Sequence, residues 1–138
     1  MRRLKRLASL TSGERRLLLR ALFVVGVARA ALCVLPVTSV RRVAARTAPA
    51  TAMMSVAQLV WAVQVVSGYL PRATCLTQAL ALQALLARAG HESRVEIGVA
   101  KAAGAKRFEA HAWVVCQDKV VIGGPDVGTY TSLIVLES

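Results

Sequence analysis

Aromatic side chains are scarce: the 138-residue chain has two each of Trp, Tyr and Phe. A core with so few rings must rest on Leu, Val and Ala, and a nucleic-acid surface loses its stacking platforms. Acidic residues are few as well, seven against eighteen Lys and Arg. The three cysteines include no Cys-x-x-Cys pair and no metal-site spacing, which excludes structural zinc and a disulfide framework. No compact apolar stretch leads to a small-residue cleavage site, so the sequence predicts no signal peptide. Reduced thiols without a secretion signal point to the cytoplasm. There is no internal repeat and no low-complexity linker, and the length is that of one domain.

What remains is basic and apolar. The formal net charge is +11, and 56% of the residues are hydrophobic, enough to hide an apolar face against a partner. Arg2, Arg3, Lys5, Arg6, Arg15, Arg16 and Arg20 crowd the start, and Arg41, Arg42 and Arg46 follow. Composition bias explains this excess first, steering of an acidic peptide or partner second. Nucleic-acid binding ranks last, because the chain shows no helix-turn-helix signature. Leu17 to Val37 is long enough to span a bilayer, but Arg20 and Arg29 would each cost about 2.5–3.5 kcal/mol at the centre. Gly26 and Pro36 interrupt it too. The segment therefore reads as an amphipathic helix, with Ser12-Gly13-Glu14 as its start and Glu14 to Leu35 as its body, and with arginines on its polar side; peripheral membrane contact stays open. Further helices are expected over Val37–Thr47 and Thr51–Ser67, punctuated by Pro49 and Gly68. Met53, Met54 and Trp61 read as helix packing, and Cys33 as core.

The chemistry-bearing residues lie further on. Pro71 and Thr74 mark a helix start, and Arg88 and Gly90 mark its end. Between them Leu76, Ala79, Leu80, Leu82, Leu86 and Ala87 make a broad apolar face. Thr74 as N-cap makes Cys75 the first helical residue, whose N–H has no intrahelical acceptor. A free thiol is only about 3% ionised near neutral pH, and a helix N-terminus favours the thiolate. Ser93–Lys101 then alternates as a strand, with a loop over Ala102–Arg107 and a second strand over Phe108–Cys116. That alternation places His111, Trp113 and Val115 on one face and Ala112 and Val114 on the other. Val120–Ile122 and Thr129–Leu136 complete a meander after the turn Gln117-Asp118-Lys119. His91 reads as a solvated turn residue, Trp113 as sheet core and Cys116 as a structural thiol. The order predicts an α+β fold, with a nucleophile-bearing helix packed on an antiparallel sheet.

The runs Cys75-Leu76-Thr77-Gln78-Ala79-Leu80, Gly90-His91-Glu92-Ser93, Ile97-Gly98-Val99 and Ala110-His111-Ala112-Trp113-Val114 resemble the transglutaminase-like cysteine-protease superfamily. Within it, the chain resembles the leader peptidases of lasso peptide biosynthesis, the protease half of a split B protein. The likeness is strongest from Leu70 to Ile122. It implies a catalytic core over residues 69–138, with the helical region 1–68 part of the same compact unit. It implies a Cys-His-Asp triad with Cys75 as nucleophile and His111 as base and acid. Asp126, behind Gly123-Gly124-Pro125, is the first choice for the third member. Asp118 is the rival, but seven residues of strand would carry it about 23 Å from His111. The resemblance also implies partners: a precursor leader peptide, a small leader-recognition protein and an ATP-dependent lasso cyclase. No metal or cofactor is required. Transglutaminase or amidase chemistry at the same pair is the competing enzymatic reading. A basic helical module bound to nucleic acid or membrane, with Cys75 merely buried, is the competing binding reading.

Overall fold

Capping chemistry sets the first helix. Thr11 accepts from the Glu14 N–H at 3.2 Å, while the Glu14 carboxylate accepts from the Thr11 N–H at 2.7 Å. This reciprocal box starts α1, Ser12–Leu32. It is followed by α2, Val37–Thr47, and by α3, Val56–Ser67. A second box, Ser55 with Gln58, opens α3. The fourth helix, α4, spans Cys75–Arg88 and leads into strands β1 Ser93–Lys101, β2 Phe108–Cys116, β3 Lys119–Ile122 and β4 Thr131–Glu137. These elements come from a computed structural model that describes residues 8–48, 54–101, 108–124 and 130–137.

The sheet is antiparallel, in the order β3-β2-β1-β4. Strands β1 and β2 run in unbroken register from Ser93 opposite Cys116 to Lys101 opposite Phe108. Gln117 and Asp118 both take positive φ (52° and 58°), the twist a two-residue hairpin needs between β2 and β3. Among the described residues, β3 pairs with Val114, Val115 and Cys116, and no strand pairs with the His111 half of β2 on that side.

α4 is the centre of the molecule. Thr77 and every residue from Ala79 to Leu86 are buried, so the helix is enclosed on all sides rather than along one stripe. It packs against α1, α2 and α3 on one flank and against β2 and β1 on the other. One contiguous cluster runs from Leu17 to Ile122, and it includes Leu80, Leu82, Leu85 and Leu86 of α4. On the sheet it takes Val95, Ala112, Val114, Cys116 and Ile122, with Ile97 and Leu136 packed against it. Polar clamps hold the layers together. Arg88 donates to the carbonyls of Ala45 and Arg46 at the end of α2, where unpaired helix carbonyls need a donor. Buried Gln83 donates to the Leu136 carbonyl at 2.7 Å, and Arg41 donates to the Glu137 carbonyl.

Several expectations need correction. Cys33 is exposed at the C-cap of α1 rather than in the core, because the helix has already ended at Leu32. Ala87 is also exposed: the apolar face of α4 closes one residue earlier, at Leu86. α1 begins at Ser12, within the start expected over Ser12-Gly13-Glu14, but stops three residues before Leu35, since the turn after Leu32 leads to Pro36. α3 starts at Val56, set by Ser55; Met53 and the rest of residues 51–53 lie outside the described residues. His91 is not a free turn residue: its Nε2 lies 2.9 Å from the Met54 carbonyl, tying the start of β1 to the entrance of α3. Among the described residues, no helix is long and apolar enough to cross a membrane.

Candidate active site

Cys75 sits where the capping chemistry puts it. Thr74 is in extended conformation and its hydroxyl accepts the Thr77 N–H at 3.3 Å. The two threonine hydroxyls also meet at 3.0 Å, and Gln78 reaches back to the Ala73 carbonyl. These bonds fix the first turn and use the donors of Thr77 and Gln78. The Cys75 N–H, at the first helical position, has no intrahelical acceptor and faces the positive end of the helix dipole. The thiol is half-buried and packs against the rim of the core. Cys116 is buried, and desolvation pushes its thiol pKa upward, which suits a structural role.

His111 stands on the other row of β2. Ala112, Val114 and Cys116 face α4, so His111, Trp113 and Val115 face away from it. Across the hairpin, Glu96 pairs with Trp113 and Gly98 with His111. The Trp113 indole N–H donates to Glu96 at 3.0 Å, and Glu96 accepts from Arg94 at 2.8 Å. This hydrogen bond to Glu96 holds the Arg94 guanidinium pKa above its ordinary value. Tyr130 closes the group, its ring centroid 5.2 Å from His111 and 6.2 Å from Trp113. The imidazole Nε2 lies 2.5 Å from the Gly123 carbonyl.

α4 packs against β2 and β1, and its C-terminus leads through Gly90 into Ser93 of β1. The Cys75 side chain packs on the core that α4 shares with the sheet, whereas His111 belongs to the row of β2 facing away from it. Among the described residues, no hydrogen bond joins the Cys75 sulfur to the imidazole, whose Nε2 bonds Gly123. Asp118 lies in the exposed β2–β3 turn, beyond Cys116, 4.0 Å from Arg94. Asp126 lies outside the described residues. Tyr130 and the Gly123 carbonyl contact His111 and Glu96 holds the neighbouring Trp113, and no motif in the sequence marks these three. The hairpin register could have found Glu96, since strands 93–101 and 108–116 pair it with Trp113. A cavity of about 590 Å³ lined by His91, Arg94, Val115, Gln117 and Asp118 lies at the C-terminal end of α4, away from this site. Among the described residues, no three His, Cys, Asp or Glu side chains gather as a metal site.

The domain is α+β, with a thiol at the N-terminus of its central helix and an imidazole on the antiparallel sheet that this helix packs against. The model of the transglutaminase-like superfamily matches residues 17–135, most of the chain, and the protein belongs to that superfamily. No curated protein and no solved structure matches it.

Proposed function

We propose that the protein is a cysteine peptidase that removes the leader from a ribosomally made lasso peptide precursor. The observation that carries the chemistry is Cys75 at the first position of a capped helix in a transglutaminase-like chain. The superfamily supports cysteine-dependent acyl chemistry. The substrate class rests on the sequence runs around Cys75, Gly90 and His111.

In this reading His111 Nδ1 takes the thiol proton and the Cys75 thiolate attacks the carbonyl of the last leader residue. The carbonyl π electrons move to oxygen, and the Cys75 N–H donates to that oxyanion. Collapse breaks the peptide C–N bond, and the imidazolium gives its proton to the leaving amine of the core peptide. Water, deprotonated by His111, then adds to the thioester and releases the leader as a carboxylate, returning the thiol. In this reading the Cys75 sulfur and His111 Nδ1 come within bonding reach in the complex with substrate and recognition protein. A separate recognition protein delivers the precursor, and a cyclase consumes the freed core peptide. The exposed Arg15, Arg16, Arg42 and Arg46 suit an acidic leader or partner.

The test mixes purified protein with precursor and recognition protein and follows the products by mass. Leader with a free carboxylate is expected, and none from Cys75→Ala. Cleavage by Cys75→Ala refutes the nucleophile; leader joined to an added amine instead of water refutes the hydrolytic reading.

A further inference from the structure

We propose that the outward face of α1 docks on an anionic membrane surface, with the helix lying in the plane of the lipid headgroups. The inference goes beyond the peptidase reading and stands or falls without it.

α1 is apolar on two sides. Leu17, Ala21, Val24, Val25, Ala28 and Ala31 are buried in the core. On the opposite side Leu19, Phe23, Gly26 and Ala30 follow one another at the alternating spacing of a single helix face, with Leu22 beside them. That face is bare. Leu19 is 65% exposed and Phe23 53%, and a Cβ on Gly26 would meet nothing within 4 Å. A helix apolar on both faces calls for cover on both. Charge names the cover. By the same spacing Arg16 and Arg20 border the stripe on one side, Arg15 and Arg29 on the other. Arg15 and Arg29 donate to the Ala8 and Pro71 carbonyls, which leaves their charge unneutralised. The acid of α1, Glu14, has its carboxylate engaged by the Thr11 cap. Among the described residues the ion pairs all involve Arg94, so these four arginines have no carboxylate partner there. An apolar stripe bordered by arginines and free of acids is the pattern of a helix in a lipid interface. Leu and Phe enter the acyl boundary, and the guanidinium groups reach the lipid phosphates. A second copy of the chain fits worse, since it would bring two such arginine borders together at a net charge of +11 each. Nucleic acid offers phosphates but no place for Leu19 and Phe23 at the middle of the face. The other face of α1 is locked in the core, and no described helix is long and apolar enough to cross a bilayer, so α1 lies on the surface rather than through it.

The experiment sediments the full chain with lipid vesicles at about 0.1 M salt. Vesicles of about 30% phosphatidylglycerol in phosphatidylcholine should bind at least about tenfold more tightly than phosphatidylcholine alone. Leu19→Gln/Leu22→Gln/Phe23→Gln should weaken that binding about 30-fold or more. Arg16→Gln/Arg20→Gln should weaken it about tenfold or more, each cation near the surface contributing about fivefold. Arg42→Gln/Arg46→Gln, the same loss of charge on α2, should weaken it less than about threefold. Phe23→Trp should add emission that brominated acyl chains quench, while Trp61 and Trp113 of the parent stay unquenched; this readout decides if the triple variant does not fold. Three results overturn the inference: no binding to the anionic vesicles, a triple variant that binds like the parent, and equal losses in the two arginine pairs. In the last two, net charge alone explains the binding. A dimer in solution that the triple variant turns into a monomer also overturns it, by putting a second copy on this face.

Discussion

Replacing Thr74 by alanine tests whether the cap under the nucleophile works as described. Thr74 supplies one acceptor to the Thr77 N–H and one partner to the Thr77 hydroxyl. Losing an N-cap side chain costs about 1 kcal/mol. The Thr77 side chain is only 2% exposed, so its hydroxyl cannot turn to water. The neighbouring Ala73 carbonyl already accepts from Gln78. Leaving a buried hydroxyl unpaired adds about 1–3 kcal/mol. Thr74→Ala should therefore lower the unfolding free energy by about 2–4 kcal/mol. Thr74→Ser keeps both bonds and should stay within about 0.5 kcal/mol. The double variant Thr74→Ala/Thr77→Val removes the orphaned hydroxyl and should cost only the cap, about 1 kcal/mol. Urea unfolding with a common m-value measures all three. The rate of Cys75 alkylation near neutral pH should fall in Thr74→Ala as the first turn frays, with Cys33 blocked or replaced. A double variant as costly as the single one, or a single one costing under about 0.5 kcal/mol, refutes the account of this turn.

Two further outcomes follow from the sheet. A Cβ on Gly98 would sit 2.7 Å from both the Thr131 carbonyl and the Trp113 ring. Gly98→Ala should cost about 1–3 kcal/mol by overpacking and shift Trp113 emission in a Trp61→Phe background; unchanged emission and stability would contradict the packing. Burial raises the Cys116 thiol pKa above its ordinary 9.0. The unfolded chain then ionises first, so the Cys116 contribution is complete below pH 9 and is lost as pH rises beyond it. Cys116→Ala should flatten the alkaline fall in stability measured by urea unfolding between pH 8 and 10, and an unaltered slope counts against the assignment.

Local signals carried most of the fold. Thr74 and Gly90 bracket α4, and the alternation of Val95, Ile97 and Val99 marks β1; both ranges agree with the structure. Boundaries failed where a nearer cap competed. Thr11 and Ser55 each have an acid or amide three residues on, the capping-box pattern that fixes where α1 and α3 begin. Burial failed where it depends on layers: nothing local to Leu76–Leu86 tells that the helix is covered on every side. The immediate surroundings of His111 were partly hidden too. Glu96 and Gly98 follow from strand register, whereas the approach of Gly123 to Trp113 depends on how the chain leaves β3, which no local propensity fixes.

The separation of Cys75 and His111 by the sheet rows bears on which part of the site moves. Shifting α4 would disturb Leu80, Leu82, Leu85 and Leu86, each at most 1% exposed. Uncovering even one such leucine costs about 2–5 kcal/mol. It would also strain the Arg88 and Gln83 clamps. The imidazole is held by far less: ring contacts with Trp113 and Tyr130, each about 0.5–1.5 kcal/mol, and one hydrogen bond. Its carrier is the edge of the sheet, where β3 has four residues and Val120 is 42% exposed. Moving the β2 backbone would disturb the core as well, because Ala112 and Val114 beside His111 are buried in it, so only the His111 side chain is lightly held. On the proposed reading, the thiol is the fixed reference of the pair and the imidazole its adjustable half. The proposed peptidase reading therefore predicts that a substrate or partner that brings the pair together acts on the His111 side chain rather than on α4.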